Sequence, residues 1–195
     1  MTISAQQIKE LREKTGAGVS DVKRALEESG GDMNKAFKLI ERKLGATAEK
    51  KMSRQTKSGI IEVYLHSNNR VASMVEVFCE TDFVARNPEF KEFAHELAMH
   101  IAAMNPLYLS VDSISQDAWQ AEKRNFEEEI KKLNKPEHIK EEIVSGKLKT
   151  HFGSISLLQQ LFVKDQEKTV GEITNEVIGK FGENIKIGRF VRFEI

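Results

Sequence analysis

The chain has 195 residues, of which 30 are lysine or arginine and 30 are aspartate or glutamate, so its formal net charge at pH 7 is zero. This length allows one medium domain or two small ones, and the balanced charge gives no general reason to expect nucleic-acid binding. Cys79 is the single cysteine, which excludes an internal disulfide bond and fits a reducing compartment. Neither a targeting segment nor a bilayer-length apolar run is evident. We therefore expect a cytoplasmic protein that binds neither a membrane nor nucleic acid directly.

The first predicted module, residues 1–45, contains three short helices. Their boundaries follow from caps and glycines, because Ser4 and Gln7 have capping-box spacing and glycine commonly ends a helix. The third helix also has apolar residues at the i, i+3, i+4, i+7 and i+11 positions of one helical face. The predicted boundaries are Ser4 to Gly16, Ser20 to Gly30, and Asp32 to Gly45.

A polar and basic segment, residues 46–58, follows, and we interpret it as a linker to a core of residues 59–195. The core begins with a predicted hairpin, in which both strands have alternating apolar residues and asparagines at the turn tolerate positive φ. The first strand carries Ile61, Val63 and Leu65 on one face, and the return strand runs from Val71 to Glu80.

Helices are predicted after the hairpin. Pro88 opens an amphipathic helix that Asn105 and Pro106 end. Residues 151–163 are ambiguous, because short apolar runs do not separate helix from strand. Two further helices are predicted between these segments, from Gln116 to Leu133 and from Pro136 onward.

The end of the chain completes the predicted fold. Thr169 and Glu172 have capping-box spacing and begin a short helix. With the hairpin, a last strand makes a small three-stranded antiparallel sheet packed with helices, so the predicted fold class is α+β with an N-terminal three-helix bundle. This last strand is predicted to place Ile187, Val191, Phe193 and Ile195 on one face.

Asp82 and Phe83 stand on a predicted turn between a strand and a helix. Asn87 and Pro88 follow, as a helix cap and a first helical residue. Taken alone, the commoner arrangement is a buried Phe83 with Asp82 capping the turn, since phenylalanine is usually buried. Loop tips on rigid scaffolds also carry binding residues, so the same pair is a candidate binding site.

Three blocks of the sequence resemble the elongation factor Ts family. The turn reads Thr-Asp-Phe-Val-Ala-Arg-Asn over residues 81–87, and residues 11–26 read Leu-Arg-Glu-Lys-Thr-Gly-Ala-Gly-Val-Ser-Asp-Val-Lys-Arg-Ala-Leu. The third block is Lys-Thr-Val-Gly at residues 168–171, followed by the ending Arg-Phe-Val-Arg-Phe-Glu-Ile at residues 189–195. The blocks lie in the family's order and span nearly the whole chain. The resemblance implies that the first module is a ubiquitin-associated-like bundle.

The resemblance implies a guanine-nucleotide exchange factor for elongation factor Tu, without catalytic chemistry or a cofactor of its own. In this family the phenylalanine of the turn motif inserts between helices of the GTPase beside its nucleotide site, which assigns that role to Phe83. The neighbouring Asp82 contacts the same region. Thr81 and Val84 belong to the same motif and join the implied contact set.

A second implied contact lies in the N-terminal module, where the corner after the first helix packs on another helix of the GTPase. The resemblance points to Arg12, Val19 and Ser20. Val19 keeps the apolar character that the family often has at its position, whereas Ser20 does not.

The resemblance also implies a short form of the family with one copy of the core. Long members carry two related core subdomains in tandem, and the sequence indicates neither a second hairpin-helix unit nor a long coiled-coil insertion. Since a homodimer restores the missing half, we expect a homodimer bound to two GTPase molecules.

Other functions remain open from the residues alone. The first is an adaptor without exchange activity, and the second is an enzyme that uses His95, His100 or His151. The third is a family member that binds the GTPase without exchanging its nucleotide. No metal is expected, because His95 and His100 are five residues apart and project from different sides of a helix.

Overall fold

A computed structural model describes residues 3–195, in which an N-terminal helical part is followed by a mixed core of helices and strands. Met1 and Thr2 of the predicted first module lie outside the described residues. Two short 3₁₀ turns complete the secondary structure, at Val111–Ser113 and Leu157–Gln159. The helices and strands are α1 (Ala5–Thr15), α2 (Val19–Glu28), α3 (Met33–Lys51), β1 (Ser58–Leu65), β2 (Val71–Cys79), α4 (Asp82–Arg86), α5 (Pro88–Met104), α6 (Gln116–Lys131), α7 (Glu137–Ser154), β3 (Leu161–Phe162), β4 (Asp165–Thr169), α8 (Val170–Phe181) and β5 (Lys186–Glu194).

The predicted three-stranded sheet is confirmed, with β2 in the centre and antiparallel to both β1 and β5. One face of the sheet is covered by α5, whose side chains Phe90, Phe93 and Leu97 are buried in the main core with Val75 and Val77 of β2. The fold class predicted from the sequence, α+β with an N-terminal helical part, is therefore confirmed.

The last strand differs from its prediction because of a β-bulge. Val75 pairs with Phe190 and Val77 with Ile187, so β5 spends three residue steps where β2 spends two. One extra residue reverses the alternation of faces. Ile187 is consequently buried, whereas Val191 is exposed on the opposite face. The prediction that Ile187 shares a face with Val191, Phe193 and Ile195 is wrong for this reason.

The outer face of the sheet is apolar and exposed. The face that β1 presents with Ile61, Val63 and Leu65 points away from α5, and Val63 lies opposite Met74 in the register of the hairpin. Because the main core lies on the inner face, the exposed side chains of the outer face contribute little to the stability of a single chain. Its exposed large apolar members are Ile61, Val63, Leu65, Met74, Phe78, Val191 and Phe193.

The N-terminal helices have the predicted caps. Ser4 and Gln7 form a capping box, and the Asp32 carboxylate accepts hydrogen bonds from the backbone N–H groups of Asn34 and Lys35. The predicted start of α2 at Ser20 is one residue late, because the helix begins at Val19 without a side-chain cap. These helices enclose a small core of their own, formed by Leu11, Ala17, Val22, Ala25, Leu26, Ala36, Ile40 and Leu44.

Gly45 does not end α3, contrary to its prediction, and the helix continues to Lys51. The continuation carries Ala48, which is fully buried in the main core. The packing of α3 on α8 explains the longer helix, since a Cβ atom at Gly179 of α8 would lie 2.7 Å from the Leu44 side chain. Glycine therefore lets the two helices approach closely. The division of the chain at residues 45 and 58 stays a prediction.

The predicted helices between residues 116 and 154 pair into a helical hairpin, α6 with α7. The sequence predicts no long coiled-coil insertion. The structure has at this place two helices of 16 and 18 residues, which enclose a separate apolar cluster. Trp119 stacks on Phe152 within it, with ring centroids 4.6 Å apart. Helix α6 ends at Lys131, two residues before its predicted end at Leu133, and the Leu133 side chain is exposed.

The ambiguous residues 151–163 divide between several elements. The segment begins as the end of α7, passes through the second 3₁₀ turn and enters the small β3–β4 ladder. Its central residue is Gln160, which is buried and donates hydrogen bonds from Nε2 to the carbonyl oxygens of Met104 and Ser154.

His100 joins α5 to this segment in a single tautomer. The Val163 N–H donates to Nδ1 at 3.2 Å, so the ring proton is on Nε2 and is donated to the Gln160 side-chain oxygen at 3.0 Å. Burial lowers the pKa of His100, although the hydrogen bond to Gln160 opposes that shift. The fold thus requires the neutral imidazole.

We predict that the free energy of unfolding falls as the pH drops below about 6.5, the ordinary pKa of histidine in an unfolded chain. The unfolded chain then binds a proton that folded His100 does not accept, which contributes a slope of up to about 1.4 kcal/mol per pH unit. Urea unfolding at several pH values between about 8 and 5 measures this slope. The control variant His100→Gln is expected to lack it, and equal slopes in the two proteins would contradict the prediction.

Candidate functional site

The turn that carries Asp82 and Phe83 is fixed by caps at both of its ends. Thr81 is the N-cap of α4, with extended φ and ψ of −126° and 158°, and its hydroxyl oxygen accepts from the Val84 N–H at 3.5 Å. Asn87 caps α5 with a hydrogen bond from the Glu89 N–H at 2.9 Å, and Pro88 occupies the first turn of that helix. The predicted cap and first residue of α5 are therefore confirmed.

Inside the turn, two residues anchor the backbone and two face outward. Val84 and Ala85 are buried in the main core, whereas Asp82 is exposed and forms an ion pair with Arg86 at 3.0 Å. The Phe83 side chain is 83% exposed. The arrangement in which Phe83 folds back into the core is consequently wrong, and the ring projects from a turn that the core holds in place.

Glu183 takes part in this turn, although no pattern in the sequence indicates it. Its Oε2 atom accepts from the backbone N–H groups of Glu80 and Thr81 at 3.1 and 3.0 Å, and its Oε1 atom accepts from the Thr81 hydroxyl at 2.6 Å. Because Glu183 is 102 residues from Thr81 in the chain, no local pattern signals the contact.

Cys79 lies beneath the turn and is fully buried. Its thiol donates to the Thr81 carbonyl oxygen at 3.1 Å. Burial raises the pKa of Cys79, and the nearby charge of Glu183 acts in the same direction. The neutral thiol is therefore part of the packing under the turn.

The predicted contact residues of the N-terminal part lie at the corner between α1 and α2. Gly16 ends α1 with a φ of 65°, and a Cβ atom there would lie 2.8 Å from the Lys180 side chain of α8. Directly after this corner Val19 is 50% exposed, and Arg12 and Ser20 are exposed as well. The corner therefore presents these three side chains outward, while Gly16 lies against the Lys180 side chain of α8.

A cleft of about 800 Å³ separates this corner from the start of α5. Arg12, Gly16 and Val19 line one side, and Asn87 and Glu89 line the other. Of the predicted contact residues, Arg12 and Val19 line this cleft, whereas Ser20 and residues 81–84 do not. Asn87, which directly follows α4, is the point at which the cleft comes nearest in the chain to the turn.

The histidines that the sequence offered as alternatives do not form a common site. His95 is exposed and lies 3.2 Å from a Glu62 carboxylate oxygen, whereas His100 is buried. His151 packs on the Phe126 and Phe152 rings of the helical hairpin. Across residues 3–195, no group of three or more His, Cys, Asp or Glu side chains has an arrangement that could hold a metal ion.

The described residues form an α+β protein whose candidate site is an exposed aromatic side chain on a turn that is capped at both ends. Within residues 3–195, no helix has the length and apolar composition needed to cross a membrane.

Comparison with known proteins gives the family. A family model described as elongation factor TS matches residues 3–195. The chain is 49% identical to elongation factor Ts of Thermotoga petrophila, covering 100% of this chain and 97% of that protein. It is 48% identical to elongation factor Ts of Rubrobacter xylanophilus, covering 100% of both chains. The chain belongs to the elongation factor Ts family and is accordingly a translation elongation factor.

We predict that Phe83→Ala leaves the free energy of unfolding within about 0.5 kcal/mol of the wild-type value, because the ring is exposed and contributes little to the packing of the core. The matched control is Phe90→Ala, which removes a fully buried ring that packs edge-on against Phe181. This control is expected to lose about 3–5 kcal/mol. Urea unfolding of both variants measures the difference. If Phe83→Ala lowers the free energy of unfolding by several kcal/mol, the ring is buried in the core and the prediction is wrong.

Proposed function

We propose that the chain promotes release of GDP from elongation factor Tu, and that it does so by inserting the Phe83 ring beside the nucleotide site of that GTPase. The family's role in nucleotide exchange supports the first part. The observation that carries the second part is the exposed ring of Phe83 on a turn whose backbone is anchored by Val84 and Ala85. This role assigns the chain to the cytoplasm, where the sequence also predicts it.

Exchange of this kind needs no covalent chemistry. The factor must bind the nucleotide-free GTPase more tightly than the GDP-bound form, and GDP then weakens the binding of the factor by the same ratio. An aromatic wedge supplies this difference if it fits only when the elements that hold Mg²⁺ and the phosphates are displaced. A ring that is already exposed before binding enters such a space without first leaving a core of its own.

The N-terminal corner supplies a second proposed contact. Arg12 and Val19 line the same cleft as the start of α5, and Ser20 is exposed next to Val19, so a helix of the GTPase that packs on this corner would lie near the start of α5. Val19 offers an apolar anchor and Arg12 a charged one. The corner thereby orients the GTPase, while the turn acts on its nucleotide site.

Within the turn, the proposed roles differ between residues. Phe83 and Asp82 are the exposed members and are the proposed contacts at the nucleotide site. Thr81 and Val84 are less exposed, so their proposed contribution is mainly to hold those two side chains in place. Arg86 pairs with the Oδ2 atom of Asp82 and so competes with the GTPase for part of that carboxylate.

We expect wild-type chain to accelerate release of a fluorescent GDP analogue from elongation factor Tu, and Phe83→Ala to reduce the acceleration about 30-fold or more. Truncation of a central aromatic anchor commonly costs about 2–4 kcal/mol, and 1.4 kcal/mol corresponds to a factor of ten. Stopped-flow fluorescence at increasing concentrations of the chain measures the rate.

The control for this experiment is Leu107→Ala, which removes an exposed apolar side chain outside the turn and the corner. It should exchange nucleotide like the wild type. If the folded wild-type chain fails to accelerate release, the proposed function is wrong. If Phe83→Ala exchanges as fast as the wild type, the exchange role stands and the wedge is wrong.

We also propose that two copies of the chain form a homodimer through the outer faces of their sheets, and that the dimer binds two GTPase molecules. Large contiguous apolar surfaces are uncommon on monomeric proteins, and this face carries exposed apolar side chains from all three strands. Two antiparallel sheets commonly pack face to face, which buries such side chains between them. The second copy then supplies what a second core subdomain supplies in long members of the family.

We predict that sedimentation at micromolar concentration gives a dimer for the wild type and a monomer for the double variant Val63→Glu, Phe193→Glu. Glutamates on this face are left buried and unpaired in the proposed interface, which is unfavourable. Phe83→Ala serves as the control and is expected to remain dimeric. A monomeric wild type with full exchange activity would contradict the homodimer.

A further inference from the structure

Glu183 is placed where it controls the backbone of the candidate site from a distant part of the chain. It directly follows Gly182, which ends α8 with a φ of 68°. Its carboxylate accepts two backbone N–H groups and one hydroxyl, all from Glu80 and Thr81. These are the two residues that immediately precede Asp82 and Phe83.

The carboxylate also sets the direction of the Thr81 hydroxyl. The O–H group is donated to Glu183 Oε1 at 2.6 Å, which leaves a lone pair of the same oxygen for the Val84 N–H at the start of α4. A hydroxyl has one proton and two acceptor sites, so both roles are satisfied together. Glu183 therefore acts on α4 through its N-cap residue.

The segment that carries Glu183 is itself held in place. The next residue, Asn184, donates its backbone N–H to the Glu80 carboxylate at 2.7 Å. The side chain of Glu80 after β2 and that of Glu183 before β5 therefore each accept from the backbone of the other segment. The Asn184 side chain donates to the carbonyl oxygens of Met52 and Arg54 at 3.1 and 2.6 Å. Glu183 is consequently a fixed acceptor and not a mobile surface carboxylate.

We infer that Glu183 is a positioning residue for nucleotide exchange, which holds the turn so that Phe83 points outward before the GTPase binds. This inference rests on the proposed function. The exposed ring of Phe83 has little packing to define its direction, so the backbone on both sides of it must do so. Val84 and Ala85 anchor the side that follows the ring, and Glu183 holds the side that precedes it. Without Glu183 the turn samples other conformations, and only a fraction of the molecules presents the ring correctly.

A smaller competent fraction raises the apparent dissociation constant in inverse proportion. It leaves the rate at saturation unchanged, because a GTPase that has bound the correct conformation meets the same wedge. This pattern separates a positioning role from the role of Phe83, whose removal lowers the rate at saturation. The same pattern distinguishes a positioning role from a purely structural role, which changes thermal stability without changing the apparent dissociation constant or the rate at saturation.

The test compares GDP release from elongation factor Tu with wild-type chain, Glu183→Ala and Glu183→Gln. Glu183→Ala is expected to raise the half-saturating concentration about tenfold at an unchanged plateau, as hydrogen bonds to a charged group are lost. Glu183→Gln keeps one oxygen for the backbone N–H groups and loses the acceptor for the Thr81 hydroxyl, so a smaller rise of about threefold is expected. This second variant decides the question if Glu183→Ala does not fold.

The matched control is Glu172→Ala. Glu172 accepts from the backbone N–H and hydroxyl of Thr169 at 2.8 and 3.0 Å, so it makes the same kind of cap at the start of α8. Its removal is expected to lower the melting temperature without moving the half-saturating concentration. If Glu183→Ala, like Glu172→Ala, lowers the melting temperature without moving the half-saturating concentration, Glu183 has only a structural role.

A double-mutant cycle with Phe83→Ala tests whether Glu183 acts through the ring. In the Phe83→Ala background, Glu183→Ala should change the half-saturating concentration less than twofold. A full tenfold effect in that background, or half-saturation like the wild type in folded single variants, overturns the inference and leaves the proposed function intact. If the wild-type chain does not accelerate GDP release, the proposed function fails, and the positioning role fails with it.

Discussion

The hydrogen bonds of residues 182–184 connect three parts of the molecule that are far apart in the chain. Glu183 holds the turn before α4, and the Asn184 backbone holds the end of β2 through Glu80. The Asn184 side chain holds the residues that follow α3. The end of the N-terminal helices, the central strand and the candidate site therefore share one junction, and their relative positions depend on it.

The molecule buries two apolar cores and still leaves apolar surface uncovered. The buried side chains of α5 and β2 supply the main core, and the small core of α1–α3 is joined to it by close packing of α3 on α8. Exposed apolar groups outside both cores include Phe83, Val19 and the side chains on the outer face of the sheet. Surfaces that contribute little to the stability of the free chain are available for partners.

Local chemistry allowed much of the fold to be predicted from the sequence. The capping boxes at Ser4 and Thr169, the cap at Asn87 and the left-handed end of α5 at Asn105 are all signalled by neighbouring residues, and the structure has them. The candidate turn was predicted for the same reason, because a strand, a short polar connection and a helix start lie next to each other in the chain.

The features that were missed depend on distant contacts. Gly45 carries the signal of a helix end, but α3 continues because Ala48 packs into the main core. The bulge in β5 is set by pairing with β2, so the alternation of apolar residues in β5 predicts the wrong face for Ile187. No residue near Glu183 reveals that its carboxylate binds the turn before Phe83. Sequence patterns report the first few neighbours of a residue, whereas these features arise from tertiary packing.

The central claim is that a preformed turn presents Phe83 to the nucleotide site of the GTPase. A structure of the chain bound to nucleotide-free elongation factor Tu tests it most directly. We expect the Phe83 ring in van der Waals contact with the GTPase beside the empty nucleotide site, with the backbone of residues 80–87 within about 1 Å of its conformation in the free chain. A ring that faces solvent in the complex, or a turn that has refolded to reach the GTPase, would show that the turn does not present Phe83 in this way.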